Sequence, residues 1–300
     1  MVGRKQKIDS NNMEVSEQQI ITKMENTQSK GLKRNTIDKY YTKADVVDLC
    51  IDIVKKHIEI KEDDLIIEPS AGNGAFIAGI KSLTSNYRFY DLEPENEEII
   101  QQDYLQLNYD NIKNNYGNIH VIGNPPFGRQ SSFAIQFIKK SCKFCDSVSL
   151  ILPKSFKKDS LRRSFPVNFH LVCEIDLPDK SFLVDGNEHD VPCIFQVWAK
   201  KTYNREINEK LEPLHFKFVE KTATPDVSFR RVGVNAGTID THIDEKSVQS
   251  HYFITFTNGK SIDENMSKIS TIAFDFNNTV GPKSISKQEL IAKFNILLQD

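Results

Sequence analysis

The hydrophobic positions of this 300-residue chain change their period along its length. Residues 1–34 show no sustained apolar period. They hold seven Lys/Arg and four acids, and are expected to form a mobile, weakly basic arm with a transient helix near Val15–Met24. Order is expected from Thr36. Val46, Val47, Leu49, Cys50, Ile53 and Val54 recur at helical spacing, which predicts a helix over 44–57. Leu65-Ile66-Ile67 is a short apolar run before a Pro/Gly-rich turn and reads as a buried strand. A helix over Ala75–Leu83, a strand over Tyr87–Tyr90 and a short helix over Glu95–Gln102 are predicted next. They are followed by a strand at His120–Ile122, a helix over Ser131–Lys140 and strands at Ser147–Leu152, Val172–Leu177 and Cys193–Trp198. Strands alternating with helices imply a parallel α/β sheet with ligand sites at the strand C-termini.

Beyond about residue 200 the pattern changes. Phe216–Val219, Val227–Arg231 and Tyr252–Phe256 read as short strands separated by polar turns. Ser286-Lys287-Gln288-Glu289 has capping-box spacing, and Leu290, Ile291, Phe294, Leu297 and Leu298 form an apolar helical face behind it. The expected division is an arm (1–34), a catalytic domain (35–204) and a small α+β appendage for substrate recognition (205–300).

Composition narrows the class. With 39 Lys+Arg against 41 Asp+Glu and 39% hydrophobic residues, the chain is ordinary globular material. The formal net charge of −2 excludes a uniformly basic protein held to nucleic acid by bulk attraction. No apolar run approaches the roughly 18–20 residues of a membrane helix, and no apolar stretch follows the basic N-terminus, so an intracellular protein without a membrane partner is expected. Cys142 and Cys145 form a C-x-x-C without a second close pair. Cys173 and Cys193 lie in apolar strand patterns, so buried thiols are expected and no metal.

The candidate chemistry sits at strand ends. Glu68-Pro69-Ser70-Ala71-Gly72-Asn73-Gly74 follows the first strand of the alternation. Its glycines let the backbone approach a ligand, but the third glycine of the dinucleotide pattern would fall at Ile77. An acid before the turn repels a pyrophosphate and attracts an ammonium, which favours an amino-acid-like ligand. Asp91, at the end of the next strand, suits a ribose diol, and Asp103, where a third strand would end, suits an exocyclic amine. Val121-Ile122-Gly123-Asn124-Pro125-Pro126-Phe127 is the most specific element. Two prolines after an apolar strand cannot continue it. They hold the Asn124 side-chain oxygen and the Pro125 carbonyl as free acceptors beside the flat ring of Phe127. Acceptors aimed at a planar amine suit methyl transfer to an sp² nitrogen.

These two elements together resemble the S-adenosylmethionine-dependent amino-methyltransferases, and their order resembles the adenine-N6 DNA methyltransferases of the gamma arrangement. The resemblance covers about residues 36–200. Lys39-Tyr40-Tyr41-Thr42-Lys43 is similar to that family's Phe-x-Thr-Pro element, with Lys43 in place of proline. The resemblance implies a Rossmann-like class I sheet, mostly parallel, with one antiparallel edge strand. It implies a donor site in which Glu68 faces the amino-acid end of S-adenosylmethionine, with Thr42, Ser70, Gly72 and Gly74 around it. Asp91 would hold the ribose, Leu92 would lie against the adenine ring and Asp103 would accept from its amine. Asn124, Pro125, Pro126 and Phe127 would be the catalytic element, with Phe182 on the other face of a base rotated out of the duplex.

Lys154, Lys157, Lys158, Arg162 and Arg163 follow a strand end and are expected to anchor a nucleic-acid backbone, most simply DNA, with Arg129, Arg230 and Arg231 extending the patch. The asparagine–proline–proline element also marks RNA guanine and protein glutamine methyltransferases. An RNA adenine, DNA cytosine-N4 or protein glutamine enzyme, or a non-catalytic nucleic-acid-binding partner, therefore stays open. The oligomeric state is open too, with a monomer compatible.

Overall fold

The structure, a computed structural model, describes residues 40–300 apart from 277, 279–281 and 300. The arm, its transient helix and the start of order at Thr36 lie outside the described residues. The chain enters as β1 (Tyr41–Thr42) and α1 (Ala44–His57), whose Val46, Val47, Cys50, Ile51 and Val54 are buried at the helical spacing expected. Then come β2 (Leu65–Glu68), α2 (Ile77–Lys81), β3 (Tyr87–Asp91), β4 (Ile100–Gln101), α3 (Asp110–Lys113) and β5 (Ile119–Gly123). The alternation continues with α4 (Ser132–Ser141), β6 (Ser147–Pro153), α5 (Asp159–Arg162), β7 (Phe169–Asp176), β8 (Phe182–Val184), β9 (Asn187–His189) and β10 (Cys193–Lys200).

Seven of these strands form one sheet in the order β4-β3-β2-β5-β6-β10-β7. Neighbours from β4 to β6 are parallel, and β10 is antiparallel to both β6 and β7. This is the mostly parallel, Rossmann-like α/β sheet expected, with one correction. The antiparallel strand is not at the edge: β10 lies inside, and β7 takes the edge. Burial explains the placement, because Cys193–Trp198 of β10 is buried throughout whereas β7 is half-exposed along most of its length.

Two helices predicted near the site are shortened or replaced. The helix expected over Ala75–Leu83 contracts to α2 because Gly72 and Gly74, at φ +53° and +87°, keep the chain in tight turns. No helix forms over Glu95–Gln102. Gln102 N–H donates to the Asp91 carbonyl at 2.9 Å and pulls Ile100–Gln101 alongside β3 as the edge strand β4, so sheet pairing overrides local helix propensity.

At the amino-terminal ends of the strands, Asp64 has no exposed surface and collects four donors. Its Oδ1 accepts from Asn118 N–H at 2.7 Å and Nδ2 at 2.9 Å, and its Oδ2 accepts from Lys61 N–H at 2.8 Å and His120 Nε2 at 3.1 Å. His120 Nδ1 then accepts from the Ser147 hydroxyl at 2.7 Å. The cluster has the connectivity of a hydrolytic triad, but Ser147 is buried at the amino-terminal end of β6, and the network instead ties β2, β5 and β6 together. Burial opposes ionisation of Asp64, yet the Lys61, His120 and Asn118 bonds outweigh it and hold the carboxyl below its ordinary value.

A second sheet, order β11-β14-β12-β13, is built from β11 (Phe216–Val219), β12 (Val227–Arg230), β13 (Ile239–Asp240) and β14 (His251–Phe256), all antiparallel. Helices α6 (Ile262–Ile269) and α7 (Lys287–Leu297) both begin with a complete capping box, Ser261/Glu264 and Ser286/Glu289. Phe216, Phe229, Ile254, Leu290, Ile291 and Phe294 form a core separate from that of the large sheet. No helix among the described residues is long and apolar enough to cross a membrane.

Replacing Asp64 by Ala strands several buried donors at once. It is expected to lower the unfolding free energy by about 3 kcal/mol or more, measured by urea denaturation at neutral pH. Because the folded carboxyl titrates below its ordinary value, its contribution is present at neutral pH and is lost as pH falls through that lowered value. The alanine variant loses this part of the acid dependence.

Candidate active site

The loops after β2, β3 and β5 converge at one sheet edge. Ala71 N–H donates to the Tyr90 carbonyl at 2.9 Å, and Glu95 N–H donates to the Gly72 carbonyl at 3.1 Å. Gly72 N–H donates to Asp91 Oδ2 and Glu93 N–H to Asp91 Oδ1, both at 2.8 Å. Asp91 is thus held by main chain on either side, while each of its oxygens keeps a lone pair for a further hydroxyl. Only residues without a side-chain penalty suit the left-handed backbone at 72 and 74. The Tyr41 ring lies against Gly72, and its hydroxyl donates to the Glu95 carboxylate at 2.6 Å. Leu92, beside Asp91, is 63% exposed. Asp103 Oδ1 accepts from Leu105 N–H at 2.9 Å, which leaves its second oxygen without a donor among the described residues.

Glu68 closes β2 and is 2% exposed. Its Oε2 is buried with no hydrogen-bond partner. Burial first, and the charge of Asp91 second, push its carboxyl well above the ordinary range. A buried carboxylate without a donor is costly, and a cation placed between these two acids would relieve both. The glycine turn, the exposed Leu92 and this orphan acid fit a donor with an ammonium, a diol and a flat ring.

At the end of β5, Pro125 is buried and Asn124, Pro126 and Phe127 are half-buried. The Ser70 hydroxyl, expected at the donor, donates to the main-chain carbonyl of Asn124 at 3.1 Å and so pins the two loops together. Asn124 Nδ2 donates to the Tyr40 carbonyl and to Thr42 Oγ1, each at 3.3 Å. The Tyr40 carbonyl can only accept, so it fixes which end of the carboxamide faces it. Oδ1 points the other way and takes no hydrogen bond from the described residues. Thr42, also expected at the donor, is therefore found on Asn124. Phe127 packs against both core clusters of the large sheet, and its carbonyl accepts from Phe133 N–H at 3.1 Å. Behind it, Gln130 and Ser131 are non-glycine residues in left-handed conformation, at φ +54° and +60°, so strained backbone adjoins the element.

The support for Tyr40 and Thr42 is a small sheet, β1-β8-β9, in which Thr42 pairs with Phe182. Lys43 N–H donates to the Ser181 carbonyl at 3.1 Å, a bond that the proline of the similar Phe-x-Thr-Pro element could not make. Phe182 is corrected here. It has no exposed surface and its ring meets Tyr40 edge-on at 6.1 Å, so it offers no face to a base. Its apolar neighbours Tyr40 and Leu183 place it in the wall of the core. The ring pair at the surface is Tyr40 stacked on exposed His189, with centroids 5.3 Å apart. The Tyr40 carbonyl was not legible in the sequence, because a main-chain acceptor leaves no side-chain signature.

The basic segment is also corrected. Lys154 and Lys157 both pair with Asp176, at 3.4 and 2.8 Å. Lys158 reaches Glu289 at 3.4 Å, Arg162 pairs with Glu174 at 2.7 Å, and Arg163 donates to the Asn208 carbonyl at 2.6 Å. The acids lie on the edge strand β7 and the helix α7, out of view of a local reading of charge. All five cysteines are free thiols, and burial pushes Cys142 up to about 12. No group of three metal-ligating side chains occurs among the described residues.

No protein-family model and no curated protein matches the sequence. Several solved structures resemble its fold. One is a putative RNA methyltransferase from Pyrococcus horikoshii, 17% identical over 57% of this chain and 92% of that one, with a TM-score of 0.40. Another is a putative class I S-adenosylmethionine-dependent methyltransferase from Listeria monocytogenes, 12% identical over 64% and 69%, with a TM-score of 0.42. A third is the 23S rRNA methyltransferase ErmE, 11% identical over 55% and 71%, with a TM-score of 0.41. The likeness is one of fold alone.

Proposed function

We propose that the protein transfers a methyl group from S-adenosylmethionine to the exocyclic N6 amine of adenine in DNA. The observation that carries this reading is the Asn124 carboxamide. Its amide nitrogen is engaged by Tyr40 and Thr42, and its acceptor oxygen takes no hydrogen bond from the described residues. An acceptor held in this way takes a hydrogen from the target amine and keeps the nitrogen lone pair turned outward. The Pro125 carbonyl is the second acceptor, since the proline pair ends β5 and takes no part in pairing beyond Gly123. Phe127 supplies a flat face for the base.

Glu68 and Asp91 support the donor assignment: one is a buried acid in want of a cation, the other a carboxylate fixed by main chain with room for a diol. Leu92 lines the place of the adenine ring and Asp103 its amine. When bound, the donor supplies a sulfonium methyl group, which passes to the amine nitrogen as the carbon–sulfur electron pair returns to sulfur and the amine proton leaves to solvent. Asn124 therefore acts by orientation and electrostatics rather than as a base.

Asn124→Ala is expected to lower turnover with labelled donor and adenine-containing duplex by about a hundredfold or more, while calorimetry shows donor affinity unchanged. Near-normal turnover would remove Asn124 from the role assigned to it. Thr42→Val is expected to cost about three- to tenfold in kcat with KM for the donor unchanged, and Thr42→Ser to restore it. A loss confined to donor KM would return Thr42 to the donor site.

Glu68 gives a pH signature. It must be ionised to hold an ammonium, and its carboxyl titrates above the ordinary value. Donor affinity should therefore rise with pH from the ordinary glutamate range through that raised value, with a proton released on binding. Stability of the donor-free protein runs the opposite way. The unfolded chain ionises Glu68 first, so the unfolding free energy falls as pH rises over the same interval. Glu68→Gln is expected to weaken binding about tenfold or more and to flatten both dependences, read by calorimetry in buffers of different ionisation enthalpy and by urea denaturation against pH. Unaltered profiles would place the proton elsewhere.

A further inference from the structure

Most cations of the segment 154–163 pair with carboxylates, whereas the second sheet carries three that do not. We propose that Arg231, Lys283 and Lys287 form the surface that contacts the phosphate backbone of the nucleic-acid substrate, an inference that rests on the methyl-transfer reading above. Among the described residues, none of the three pairs with a carboxylate. Arg231 donates to the Gln249 carbonyl at 2.8 Å and lies over the Tyr252 ring at 5.5 Å. Lys287 Nζ lies 4.5 Å from the centre of the Phe218 ring and 5.8 Å from that of Tyr252, and Lys283 Nζ lies 4.7 Å from that of Phe276. Both lysines are exposed. A ring beneath an ammonium restricts its motion without cancelling its charge, so little freedom remains to be lost when a phosphate arrives.

The three cations share one surface. Ile285 N–H donates to the Arg231 carbonyl at 2.8 Å and Gly233 N–H to the Lys283 carbonyl at 2.9 Å, around an antiparallel bridge between Val232 and Ser284. Lys287 opens α7 two residues beyond Ile285. The nearby carboxylate of Glu289 is already engaged by Lys158, Asn278 and the Ser286 cap. The surface also faces the correct edge of the large sheet. Lys158 donates to the Ser284 carbonyl at 3.0 Å, and it follows directly on the turn Lys154–Lys157 at the end of β6, the strand paired with β5 and its Asn124 loop. A duplex presenting an adenine at Asn124 would pass its backbone over this ridge.

The test is the salt dependence of binding, which needs no methyl transfer. The full chain is titrated into a fluorescent random-sequence DNA duplex over a series of salt concentrations. Arg231→Gln, Lys283→Gln and Lys287→Gln together should reduce the slope of log K against log salt by about 2 to 3, near 0.9 per phosphate released. Lys154→Gln with Lys157→Gln should leave the slope unchanged. Lys287→Gln alone, expected to lose about 0.9, covers the case in which the triple variant does not fold. An unchanged slope in the Lys287 variant overturns the proposal. So does tight binding to polyglutamate with none to duplex, which would make the surface one for an acidic protein. Donor binding by calorimetry separates the two readings. Donor binding without duplex binding sinks this surface alone, whereas a duplex slope that depends on these residues without donor binding sinks the methyl-transfer reading alone.

Discussion

A carboxamide has a donor end and an acceptor end, and the site depends on which end of Asn124 is held. Its amide nitrogen is taken by the Tyr40 carbonyl and Thr42 Oγ1, so the oxygen points away from them and takes no hydrogen bond from the described residues. Much of the surrounding architecture serves that choice. The Tyr40 carbonyl is in place because β1 is fastened to β8 and Lys43 N–H is fastened to Ser181. The main chain of Asn124 is in place because Ser70 reaches across from the loop after β2. The Pro125-Pro126 pair stops β5 from pairing further and so leaves the loop free to be held by these contacts. A fully buried Phe182 is part of this arrangement, since its ring backs Tyr40 where a base-stacking ring would have left a gap.

Beside this neutral centre stands a concentration of negative charge that the fold itself does not satisfy. Asp91 is stabilised by main-chain donors, but Glu68 has an oxygen with none. Folding therefore proceeds against the cost of burying an acid with no donor on that oxygen, a cost met by the packing of β2, where every residue is buried. A cation placed beside Glu68 would offset that cost, which would couple its binding to the protonation of this one residue. The overall charge of −2 conceals the arrangement, with acids gathered under the glycine turn and unpaired cations on the second sheet.

The fold was legible where one residue type settles a local question. Apolar triplets gave the central strands, a 3.6-residue period gave α1, and the Ser286/Glu289 spacing gave the start of α7. It was not legible where two distant segments compete. The chain from Glu95 to Gln102 has helix-forming residues, but a hydrogen bond to the Asp91 carbonyl makes part of it a strand. Whether the antiparallel strand lies at the edge is settled by comparing the burial of β7 and β10, which only the assembled sheet reveals. The site divided likewise. Glu68, Asp91 and Asn124 stand out in the sequence as polar residues at strand ends, and the structure brings their loops to one sheet edge. Thr42 and Ser70 were drawn to the site for donor binding, yet the structure places both on the Asn124 loop.

The basic segment shows why charge along a sequence is a poor measure of charge in space. Of its cations, Lys154, Lys157 and Arg162 turn back onto the edge strand β7, whose Glu174 and Asp176 lie far along the chain but close in the fold. Lys158 turns instead to the Ser284 carbonyl and to Glu289 of α7, and Arg163 to the Asn208 carbonyl. The Lys158 hydrogen bond holds Ser284, the neighbour of Lys283, close to the end of β6. A lysine read from sequence as a phosphate anchor thus serves in the fold as a brace. It ties the surface of the neighbouring cations to the strand next to the one that precedes Asn124.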